Sequence, residues 1–173
     1  VSSSQTLQEA IPFALENNFD VLLLDATGAL GSPWSELKGN PDISILRDAV
    51  NILRELDREE EIDLVYFGGL RSGTDAAKVI GLGGKVVVYG VVAGLAAGGQ
   101  ITDQHSMHFE ADRTSDDRSE GVTSILKACT NEASMMARCT GKTNLMNIEP
   151  EDMRAISSAT AKATGIPVAG NAE

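Results

Sequence analysis

Three glycines frame an arginine and a serine in Gly68-Gly-Leu-Arg-Ser-Gly73, directly after the apolar run Ile62-Asp-Leu-Val-Tyr-Phe67 and directly before Thr74-Asp-Ala-Ala-Lys-Val-Ile-Gly-Leu82. Residues of these types in this order can bind an anion. Glycine lets backbone N–H groups come close to a ligand, the helix that follows adds the positive end of its dipole, and Arg71 adds a charge. A second glycine ends the next apolar run at Tyr89-Gly90, one strand further on, so two turns are available to one ligand. A tight turn that needs glycine for positive φ would leave the same trace at either place.

Other residues offer chemistry less specifically. Asp25 closes the apolar run Asp20-Val-Leu-Leu-Leu-Asp25 and is followed by Thr27, Gly28, Gly31 and Ser32. An acid at the carboxyl end of a strand is where open-sheet and barrel enzymes place functional side chains; it is also where a carboxylate caps the next turn. His105 and His108 stand three apart, but a metal would need a third ligand and a helical segment, and neither is apparent, so a solvated loop is expected. Cys129 and Cys139 lie ten positions apart in a helical-looking stretch, about 15 Å at helical rise, too far to pair. Cys129, Met135 and Met136 read as packing residues, and Glu132 and Arg138 as surface ion-pair formers.

The elements that must position these residues follow from hydrophobic period. Helical spacing marks residues 6–17, with Pro12 expected to kink or delay the helix, and marks 43–56 again. Short unbroken apolar runs at 20–25, 62–67 and 85–89 have the pattern of strands buried on both faces of a parallel sheet. The order helix, strand, helix, strand, helix, strand is a βα alternation with right-handed crossovers. Residues 26–41 hold the only tryptophan, Trp34, among glycines and prolines without periodicity, which predicts a functional loop. Residues 91–97 are small and apolar, and 98–113 read as irregular and polar. A long helix is predicted from 116 or 117 to 140 with Thr114-Ser115 as its cap, and a last helix from Pro150, as N1 proline, to Gly165.

At 173 residues the chain can bury one sizeable core and reads as a single domain, 1–173, with βα units over 1–98 and carboxyl-terminal helices over 114–165. A formal net charge of -11 argues against a nucleic-acid partner. No apolar run reaches the roughly 20 residues that span a bilayer, and a cytoplasmic, reducing compartment is expected. The chain opens on Val1, as though a strand had been cut at its last residue.

Taken together, Asp25-Ala-Thr-Gly28, Phe67-Gly-Gly-Leu-Arg-Ser-Gly-Thr-Asp-Ala-Ala-Lys78, Tyr89-Gly90, Thr140-Gly-Lys-Thr-Asn144, Glu149-Pro-Glu-Asp152 and Gly165-Ile-Pro-Val-Ala169 resemble the FMN-binding glutamate synthase-like family, with the N-methylglutamate-forming subunit as the nearest variant. The resemblance runs over nearly the whole chain, and the glycine turn at 68–73 is its most specific part. It implies an α/β fold, the carboxyl-terminal part of a (β/α)8 TIM barrel with about three parallel strands, the sixth to the eighth, followed by helices. It implies FMN as cofactor, with Gly68, Gly69, Arg71, Gly73, Tyr89 and Gly90 at its phosphate. The Gly28 to Ser32 loop would face flavin and substrate, with Gly28 and Gly31 at the substrate and Asp25, Thr27 and Ser32 as catalytic candidates. A lysine of the family would lie upstream of Val1. The loop Asp25-Ala-Thr-Gly-Ala-Leu-Gly31 departs from the family's Gly-Gly-Thr-Gly type, and Cys129 with Cys139 do not supply the three closely spaced cysteines of a 3Fe-4S cluster, so no metal is expected.

The activity implied is that of an oxidoreductase making glutamate or an N-substituted glutamate from a 2-oxo acid and an amine or ammonia, with small-molecule substrates and further subunits or a second copy as partners. Two other readings stay open: a flavin-free phosphate-binding barrel isomerase or lyase, and a non-catalytic partial barrel completed by another chain.

Overall fold

The structure is a computed structural model that describes residues 1–29 and 31–170. Helix α1 (Leu7–Glu16) leads into β1 (Val21–Asp25), α2 (Ser44–Glu55) into β2 (Asp63–Phe67), and α3 (Gly73–Gly81) into β3 (Val86–Val88). The three strands pair in parallel in the order β1-β2-β3, with Asp25 opposite Phe67 and Phe67 opposite Val88. Ser2, fully buried, continues this sheet beyond β1 through a parallel bridge to Leu24. The expected βα alternation is therefore the observed one, and the chain has the α/β fold of part of a (β/α)8 barrel.

The core lies on one side of the sheet. Leu22, Leu24, Leu64 and Tyr66 face α1 and α2 and pack there with Ile11 and Leu46. Their neighbours along each strand face the other way and are less well covered: Val65 and Phe67 are half-buried, and Val86 is 49% exposed. The runs expected to be buried on both faces are thus covered by helices on one face only.

Pro12 sits inside α1, and the helix runs unbroken from Leu7 to Glu16. Thr6 stands at the helix start, where its hydroxyl accepts the Ser3 N–H instead of a helical one.

Beyond β3 the structure supplies one element that the sequence reading left unassigned and departs from that reading at two others. The small apolar stretch is a short helix, α4 (Val91–Ala96). The span expected to be irregular contains an antiparallel hairpin, β4 (Gly99–Ile101) with β5 (Met107–Phe109), and His105 occupies its turn at φ 54° while His108 is exposed on β5 opposite Gln100. The single last helix is two pieces, a 3-10 turn at Pro150–Asp152 and α6 (Ser158–Thr164). Ala155, between them, is extended because it pairs with Val168, and Ser157 then caps α6 afresh by accepting the Thr160 N–H.

Helix α5 (Ser115–Cys139) starts at the expected cap Thr114, which forms a capping box with Asp117, and crosses α3 and α4 closely. Cys129 is buried and Cys139 exposed, both as free thiols. No helix among the described residues is long and apolar enough to cross a membrane.

Candidate functional site

Asp25 ends β1 almost completely buried, 3% exposed, and one oxygen, Oδ1, accepts both the N–H of Thr27 at 2.8 Å and its hydroxyl at 2.6 Å. Thr27 Oγ1 in turn accepts the Ala29 N–H. These bonds turn the chain out of the strand, and the Asp42 N–H, donating to the Ala26 carbonyl, brings it back after residues 26–41. Within that loop Gly28 and Gly31 have φ of 68° and 80°, Ser32 Oγ accepts from the exposed Lys38 ammonium, and Leu30 lies outside the described residues. A single 3-10 turn, Ser35–Leu37, gives the loop its only helical geometry among the described residues.

The glycine turn after β2 and the strand end after β3 meet one another through that 3-10 turn. Glu36 Oε1 accepts the Gly69 N–H at 2.8 Å, and Glu36 Oε2 accepts the Val91 N–H at 2.6 Å. Two backbone donors from two separate turns thus converge on one carboxylate. Both turns need glycine for it. Gly69 has φ 69°, and a Cβ there would strike the Pro41 ring; a Cβ on Gly90 would strike Glu36 itself.

Of the residues read from the sequence, the structure gathers Gly68, Gly69 and Gly90 around this point, and Arg71, two positions past Gly69, is exposed. Gly73 is turned away from it. Its N–H donates to Glu132 Oε2 of α5 at 2.7 Å, and an added Cβ would lie 2.6 Å from the Ala133 nitrogen. Tyr89 packs with the core on the helix side of the sheet, where its hydroxyl donates to the Ser72 carbonyl at 2.9 Å; burial, and then the thiol of Cys129, push its pKa up.

Two carboxylates were misjudged or missed in the sequence. Glu132, read as a surface ion-pair former, instead accepts the Gly73 N–H and the Thr74 hydroxyl, and those two bonds, the hydroxyl's first, hold its pKa below the ordinary 4.5. Glu36 went unread, although it is the one acidic residue between Asp25 and Asp42. That isolation in a loop of glycine, proline and serine was the signal available. Its two partners lie 33 and 55 residues away, so the contact itself leaves no local pattern.

Residues 3–107 match a protein family described as a conserved region in glutamate synthase. A glutamate synthase large subunit-like protein of Rhizobium meliloti (strain 1021) is 31% identical over 189 aligned positions that cover 91% of this chain and 43% of that protein. The chain thus spans less than half the length of this relative. Among solved structures, the recombinant flavin-binding domain of baker's yeast flavocytochrome b2 superposes with a TM-score of 0.63 at 23% identity, covering 94% of this chain and 36% of that one. A doubly substituted flavocytochrome b2 with pyruvate bound gives 0.62 at 20% identity over 92% of this chain and 36% of that one.

Proposed function

The chain belongs to the glutamate synthase family, and from that membership we propose that it forms part of an FMN-dependent oxidoreductase of the glutamate synthase type. The observation that carries the proposal is the convergence of the Gly69 and Val91 N–H groups on one anionic group at the carboxyl ends of β2 and β3. Donors arranged in this way suit a phosphate monoester, and the FMN phosphate would be held by the backbone at Gly68, Gly69, Gly90 and Val91 with Arg71 as counter-charge. Gly73 and Tyr89 would support the same turns from behind, through Glu132 and the Ser72 carbonyl. When bound, the flavin supplies two-electron transfer to a carbon–nitrogen double bond.

The residues of the chain itself would do the rest. Asp25, with its oxygen engaged by Thr27, fixes the start of the 26–41 loop, and Gly28, Gly31 and Ser32 at the carboxyl end of β1 would face the substrate. The reaction fitted to the family is condensation of a 2-oxo acid with ammonia or an amine, with loss of water, and reduction of the resulting imine by two electrons and two protons to glutamate or an N-substituted glutamate. An electron donor and the remaining barrel strands would come from further parts of the enzyme or other subunits, and a reducing cytoplasm suits the two free thiols.

Purified full-length protein is expected to be yellow and to release FMN on acid precipitation, identified by chromatography. It should form an amino acid from 2-oxoglutarate and ammonia or methylamine when supplied with a reductant. A colourless protein whose spectrum does not change on adding FMN would leave the flavin-free phosphate barrel as the reading.

A further inference from the structure

The cradle already contains an anion of the chain's own, and we propose that Glu36 competes with the incoming phosphate for the Gly69 and Val91 N–H groups, so that cofactor loading requires the Ser35–Leu37 turn to swing away. The proposal rests on the phosphate reading of the cradle. Both oxygens of the carboxylate are engaged, one by each turn, at 2.8 and 2.6 Å. A phosphate using the same two donors cannot share them with Glu36, because the N–H groups are single donors and two anions side by side repel.

The surrounding loop is suited to such a displacement. Glu36 is half-buried on a single 3-10 turn flanked by Gly31 and Gly39, and residues 26–41 are tied down at their two ends by the Thr27–Asp25 and Asp42–Ala26 bonds. Trp34, preceding the turn, holds it from the other side by packing on Phe109 of β5 with ring centroids 6.0 Å apart. Swinging the turn away therefore leaves its ends in place but must release the Trp34–Phe109 contact. Because the loop also carries Gly28, Gly31 and Ser32, filling the cradle and arranging the substrate end of β1 become one event.

A phosphate ligand that binds only the displaced state has its apparent affinity reduced by the fraction of molecules in that state. Removing the carboxylate removes the competition. In the apo form of the full-length protein, Glu36→Gln and Glu36→Ala should each tighten FMN binding by about 10- to 100-fold, measured by quenching of flavin fluorescence. The same variants should gain binding of inorganic phosphate, followed by equilibrium dialysis. Circular dichroism and thermal melting identify any variant that fails to fold, and the near-isosteric glutamine is the one expected to keep the turn.

Folded variants whose affinity for both ligands equals or falls below that of the parent would overturn the role of Glu36, and parent binding of FMN would then leave the flavin reading standing. Conversely, if FMN binds no form of the protein while the variants gain inorganic phosphate, the flavin reading fails and the internal competitor stands.

Discussion

A glycine at φ 69° with a proline ring at its back has no room for a side chain, so the residue scale makes a direct prediction at position 69. Gly69→Ala should cost about 1 to 2 kcal/mol from the left-handed backbone alone, more if Pro41 cannot yield, and should abolish FMN retention during purification. Calorimetry and flavin absorbance check the two parts separately. Asp25 gives a prediction of another kind. One oxygen holds two donors of Thr27, so Asp25→Ala should destabilise by about 1 to 3 kcal/mol through the orphaned donors. Asp25→Asn keeps an acceptor and should lose less than about 1 kcal/mol. An asparagine variant that melts like the parent yet has no activity would show instead that the charge of Asp25 serves the chemistry.

The role of a side chain was legible where its partners were close in sequence. Asp25 as a cap, Thr114 as a cap, and the glycine turn itself all depend on neighbours within a few positions. Glu36 and Glu132 act across 33 to 59 residues, and beyond the isolation of Glu36 in its loop nothing local distinguishes them from solvated acids.

At the scale of elements, α5 is joined to the start of α3 by Glu132, which takes the Gly73 N–H and the Thr74 hydroxyl beside the Ser72 cap. Its carboxylate is favoured in the folded state, with a pKa below 4.5, so the stability it contributes is present above that value and is lost as pH falls through the folded pKa. The melting temperature of Glu132→Gln should accordingly lie below that of the parent at pH 7, and the gap should close on acidification past about 4.5. A gap that stays constant from neutral to acid pH would show that the charge of Glu132 contributes nothing.

The same scale explains which elements were readable. Long periodic segments such as α2 and α5 announce themselves, and the strands carry dense apolar runs. The β4–β5 hairpin has strands of three residues each, Gly99-Gln-Ile101 and Met107-His-Phe109, too short for alternation to register. Pro150 does open a helical turn, but pairing of Ala155 with Val168 stretches the chain before it can continue, and that partner is thirteen residues away.

For the whole molecule, the decisive fact is the sheet with one face packed and the other only partly covered. Leu23, Val65, Phe67 and Val88 are half-buried and Val86 is exposed on that second face, and the outer edge of β3 pairs with no strand among the described residues. A closed barrel removes both kinds of surface. Residues 1–173 produced alone should therefore self-associate in size-exclusion chromatography, and replacing Val65 and Val88 by serine should reduce the association. A cooperative monomer of the unsubstituted segment would contradict this.

The Glu36 bridge also has a kinetic signature. Gly69 and Val91 belong to different elements, yet a single carboxylate shields both amide protons from water. One opening of one turn must release the pair, so their deuterium exchange should share a rate and a dependence on temperature, as members of one cooperative unit do. Removing the Glu36 charge should speed both together. Two protons on separate loops thus become a built-in clock for how often the loop lifts.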